Sequence, residues 1–76
     1  MIVAVRRGSI ESFDEAAGLG VVRGENDARF PFHCTQIADG SRSIDEGVTV
    51  WFEIVAGHQG RWEASSIRHS DEAGGR

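Results

Sequence analysis

Glycine recurs along this chain at intervals that leave little room for long helices: Gly8, Gly18, Gly20, Gly24, Gly40, Gly47, Gly57 and Gly60. Between them stand short runs rich in Val, Ile, Phe and Trp. Such runs, bounded by turn formers, read as the strands of an all-β domain. Five are expected. The first spans residues 2–13, with Gly8 marking a bend or bulge where the sheet curls. The second spans 18–23 and ends in the turn Gly24-Glu25-Asn26-Asp27. The third spans 29–34, and a polar connection over 35–47 carries a short 3₁₀ segment near 35–38. The fourth, 48–55, alternates most clearly, with Val48, Val50, Phe52 and Ile54 on one side and Thr49, Trp51 and Glu53 on the other. The fifth spans 62–68.

Five short strands with one apolar face expose their edges as an open sheet, and closure into a barrel removes most of that hazard. The fold expected is therefore all-β, a five-stranded antiparallel barrel. Composition alone does not choose between an SH3-like and an OB-like barrel. The 76 residues make one domain, expected over 1–69, with a polar, Gly-rich tail over 70–76 expected to be disordered. The apolar share of 39 % leaves out ten glycines, and adding them brings the chain into the globular range. Cys34 has no second cysteine to pair with, which fits a reducing compartment, so the expected location is the cytoplasm. The start of the chain puts apolar residues before its arginines, the reverse of a secretory signal. No apolar run approaches the roughly 20 residues that span a bilayer, so no membrane partner is expected.

The formal charge is −4, and all eight basic residues are arginines. Phosphate binders usually display a basic face, because neutralising phosphates releases counterions and supplies most non-specific affinity. On charge alone the chain argues against tight, salt-driven binding of nucleic acid.

Four segments occur in a telling order: Gly8-Ser9-Ile10-Glu11-Ser12-Phe13-Asp14, Gly18-Leu19-Gly20-Val21-Val22, Phe30-Pro31-Phe32-His33-Cys34-Thr35-Gln36-Ile37, and Asp45-Glu46-Gly47-Val48-Thr49-Val50-Trp51-Phe52-Glu53. Together, over about residues 7–68, they resemble a cold-shock domain. The resemblance selects the OB-like barrel and implies single-stranded RNA or DNA as partner. In that family the outer face of the middle strands is paved with rings on which unpaired bases stack, each stack contributing about 1–3 kcal/mol.

Carried over position by position, the face is much altered. Ser12 stands where the family usually has Trp, although Phe13 beside it is kept. Ala17 replaces the Lys before the Gly-x-Gly, Leu19 and Val21 replace its two aromatics, and Pro31 replaces the stacking Phe of the third strand. His33 is kept, Cys34 replaces the aromatic after it, and Ser41 replaces the loop aromatic. The expected contact face is Phe13, Leu19, Val21 and His33, with Arg7, Arg29 and Arg42 as phosphate partners. About five lost rings at about 1 kcal/mol each make a deficit of about 5 kcal/mol, more than three decades in dissociation constant. The expected activity is weak binding with little sequence preference. The alternative is a diverged barrel that docks a protein on the same apolar face.

The alternation of the third strand sends Phe30 and Phe32 inward and His33 outward, and Pro31 marks an edge or a bulge. Trp51 and Trp62 read as a bracing cluster, Trp51 packing on Trp62 or Arg61, or as a relocated contact surface. His33, His58, His69 and Cys34 lack metal-ligand spacing, and Cys34 reads as a small, half-buried apolar residue. The pairs Asp14-Glu15 and Asp45-Glu46 sit beside turns. Gly18-x-Gly20 lacks the helix that a phosphate-cradling loop requires. No enzyme and no cofactor are expected.

Overall fold

The computed structural model describes residues 5–57 and 60–70. Five strands form one antiparallel sheet: β1 (Val5–Asp14), β2 (Leu19–Arg23), β3 (Arg29–His33), β4 (Thr49–Ala56) and β5 (Trp62–His69). Their order is β3-β2-β1-β4-β5. The sheet rolls up so that β3 packs back against β5. Behind β3 the closure continues in a parallel bridge between Ile37 and Ile67, and Ala38 N–H donates to Ile67 O at 2.7 Å. The all-β expectation holds. The expected tail lies outside the described residues from position 71 on, while Ser70 N–H donates to Thr49 O at 2.9 Å.

Burial follows the alternation. Ile10, Val22, Phe32, Ile37, Ile44, Val50, Phe52, Ala64 and Ile67 form the core. Phe52 lies at its centre with no exposed surface, and Phe30 packs on it with ring centroids 5.5 Å apart. Pro31 sits on β3, which has a ladder partner only in β2, so its missing N–H costs the sheet no bond.

Three local features differ from the sequence reading. The bulge of β1 is not at Gly8. Register shifts between Ile10↔Val22 and Ser12↔Val21, which makes Glu11 the extra residue. Gly8 has a different reason to be glycine: a Cβ there would overlap the carbonyl oxygen of Arg23. The 3₁₀ turn begins one residue early, over Cys34–Gln36, because the His33 ring caps it by accepting from Thr35 N–H at 3.2 Å. Trp51 does not meet Trp62. Its cross-strand partners are Arg7 and Arg68, and the Arg7 guanidinium carbon stands 5.7 Å from the centroid of its ring. Trp62 pairs with Ala56 at the far end of the ladder and is 59 % exposed.

Candidate functional site

Registers across β1, β2 and β3 align outward side chains into rows. One row is Asp14–Leu19–His33, and the next is Ser12–Val21–Pro31. Around them lies a mostly apolar hollow of about 440 Å³, with Glu63 from β5 on its rim. That volume falls in the range of small-ligand sites. Leu19, 53 % exposed, is a large apolar side chain left open to solvent. With Val21, Pro31 and Phe13 around the same hollow it forms part of a contiguous apolar surface.

Backbone detail fixes the hollow. Asp14 Oδ1 accepts from the N–H groups of Ala16 and Ala17 at 3.0 and 3.2 Å, and Gly18 closes the turn at φ 70°. Gly20 has no room for a Cβ, which would overlap the rings of Phe32 and Phe13. Those rings stack below it with centroids 5.9 Å apart. His33 Nδ1 accepts from Thr35 N–H, which leaves the ring proton on Nε2. The imidazole therefore offers a donor through Nε2.

The structure places the seven expected site residues unequally. Leu19, Val21 and His33 stand together on the hollow. Phe13 lines it too, but from beneath: the Glu11 bulge turns its ring inward onto Phe32, so it is half-buried instead of standing on the outer face. A one-residue insertion inverts every side chain after it, and simple alternation from Ile10 would have sent Phe13 outward. Arg42 lies beside His33 and Cys34 around a neighbouring recess. Arg29 is engaged elsewhere, its Nε donating to Glu11 Oε1 at 2.6 Å. Arg7 belongs to a different part of the surface, over Trp51. In the same way Arg23 Nε donates to Asp27 at 3.1 Å, and that guanidinium holds the Asp27 carboxyl below the usual carboxylate range.

Glu63 was missed because nothing local in the sequence links β5 to β2 and β3; barrel closure brings it there. Asp14 was read only as a turn residue. Among the described residues, no group of His, Cys, Asp and Glu is arranged to hold a metal ion, and no helix is long and apolar enough to cross a membrane.

Comparison with known proteins places this geometry in context. Residues 6–70 match the family model described as 'Cold-shock' DNA-binding domain. Cold shock protein CspA of Staphylococcus haemolyticus is 33 % identical over 66 residues, covering 84 % of this chain and 98 % of that protein. Cold shock protein CspB of Geobacillus stearothermophilus is 32 % identical over 65 residues, with the same coverage. Among solved structures, drosophila Unr CSD456 superposes with a TM-score of 0.75 at 32 % identity. It covers 96 % of this chain, which spans only 29 % of that longer one.

Proposed function

This chain belongs to the cold-shock domain family, and on that premise we propose that it binds single-stranded RNA or DNA weakly and with little sequence preference along the strand. The carrying observation is the hollow on the β2–β3 face, where Leu19, Val21 and His33 converge. Bases lie on this apolar floor, Phe13 supports it from below, and the Nε2–H of His33 donates to a base carbonyl or a phosphate. Binding is passive: it holds a strand unpaired, and no bond is made or broken. Residues 1–69 act as the binding module, with 70–76 as an appendage. The lone, half-buried Cys34 supports a reducing compartment such as the cytoplasm.

Two features keep the affinity low. Leu19 and Val21 offer apolar contact without a π-face. Arg29, on the strand that also carries Pro31 and His33, is held by Glu11. Arg42 is then the main phosphate partner, and one neutralised phosphate on a single strand corresponds to a salt slope of about −0.7. Titration of labelled protein with a pyrimidine-rich oligonucleotide at two salt concentrations tests this reading. Micromolar or weaker binding, with chemical-shift changes at Leu19, Val21 and His33, is the expected result. Changes scattered elsewhere, or none at millimolar strand, reject it.

The exposed Leu19 favours a second reading, in which the same face docks a protein. Capture of a partner that survives nuclease and high salt would support it. Trp51 adds nothing to that case, since Arg7 lies over its ring.

A further inference from the structure

The polar rim of the hollow has a pronounced bias. Its lining includes two carboxylates, Asp14 and Glu63, and neither Arg nor Lys. Glu63 is half-buried, and among the described residues its carboxylate forms no ion pair or hydrogen bond. It is nevertheless seated: its carboxyl lies against Gly57, where a Cβ would overlap it. Asp14 spends Oδ1 on Ala16 and Ala17, which leaves Oδ2 for a ligand. In the same row as Asp14, the Nε2–H of His33 is a donor, because Thr35 N–H occupies Nδ1. The hollow thus offers carboxylate acceptors with one imidazole donor around an apolar floor.

An ionised carboxylate only accepts hydrogen bonds. A phosphate placed here would face two like charges, so the strand's backbone must run outside the hollow, toward Arg42. The part of a nucleotide that fits inside is a base, and the rim distinguishes among bases. Cytosine carries an exocyclic amino group at C4 with two N–H donors, and its O2 accepts. Uracil carries a carbonyl at C4, whose lone pairs would meet those of the carboxylate, and offers one donor, N3–H, against the two of the cytosine amino group. Carboxylate side chains are the usual acceptors for the cytosine amino group in nucleic-acid recognition.

We propose that Glu63, seated on Gly57 and assisted by Asp14, makes this hollow selective for an unpaired base bearing an exocyclic amino group, cytosine over uracil. The proposal rests on the single-strand-binding reading above and adds a preference at this one subsite. Single-stranded heptamers of deoxycytidine and deoxyuridine, alike except around C4 and N3, are the probes for a fluorescence titration of the full chain at neutral pH. The deoxycytidine strand should bind about tenfold more tightly. Glu63→Gln, whose amide both donates and accepts, should bring the two affinities within about twofold. Gly57→Ala pushes aside only the flexible end of Glu63, so it should also level the preference while leaving deoxyuridine affinity and thermal midpoint near those of the parent. Equal binding by the parent, or tighter binding of deoxyuridine, overturns the selectivity and leaves the binding reading intact. A preference that persists in both variants overturns the role of Glu63. Failure of both strands to bind overturns the reading on which the proposal rests.

Discussion

Leu19 is the residue at which this face departs most visibly from a stacking surface, and at 53 % exposure it has little packing to lose. Leu19→Phe should therefore tighten single-strand binding about tenfold, one stack contributing about 1–3 kcal/mol, with almost no change in thermal midpoint. A fluorescence titration beside a melting curve checks both halves. Glu11 offers a complementary change. Glu11→Gln frees Arg29 for phosphate and should steepen the dependence of log K on log salt by about 0.7, seen in titrations at several ionic strengths. Its cost in stability should stay below about 1 kcal/mol, as for exposed ion pairs generally. Two carboxyls are held below their ordinary range: Asp27 by hydrogen bonding to Arg23, and Asp39 by the N–H of Ser41, which donates at 2.8 Å. A depressed folded-state pKa adds stability that is present above the unfolded value and lost as pH falls through the folded one. The double variant Asp27→Asn, Asp39→Asn should accordingly show a shallower loss of stability below about pH 4, measured by urea denaturation across pH.

At the scale of strands, much of the fold was legible. Alternation in β4 assigned Val50 and Phe52 inward and Thr49 outward, because one side of that strand faces only the core. Gly18 turns the chain into β2 at φ 70°, and Gly24 follows its end in extended conformation. What alternation could not reveal was the Glu11 bulge, because an inserted residue leaves no mark except a broken period, and Ile10 and Phe13 read as ordinary neighbours. Phe13, expected on the face from the family resemblance, does line the hollow, and the bulge is what turns its ring onto Phe32. Gly8 was recognised as special but for the wrong cause, since close approach of a neighbouring strand leaves the same glycine signature as a bulge. Substitution separates these causes. Gly8→Ala should destabilise by about 3 kcal/mol or more, because its Cβ would meet backbone that cannot move aside. Gly40→Ala, with nothing within 4 Å of the added Cβ but φ at 84°, should cost about 1 kcal/mol from backbone strain alone. Urea unfolding of the two variants gives the comparison. The candidate site was half legible: Leu19, Val21 and His33 follow from period and motif. Glu63 depends on a long-range contact that no local pattern encodes.

The molecule as a whole rests on one small core, so its margin is thin. A domain of this size has a total stability near the low end of about 5–15 kcal/mol. Phe52→Ala removes the ring on which Phe30 packs and should cost about 3–5 kcal/mol, which consumes most of that margin and brings the thermal midpoint by circular dichroism down toward ordinary temperature. The same economy shows in Glu11. Its backbone supplies the surplus residue that curls the first strand, and its carboxylate clamps Arg29 across the sheet. Shape and charge are thus inherited at one codon, yet they come apart under mutation. Any residue in that place keeps the curl, whereas only an acid mutes the neighbouring cation. A lineage could therefore turn its grip on a polyanion up or down at this position without disturbing the architecture that presents it.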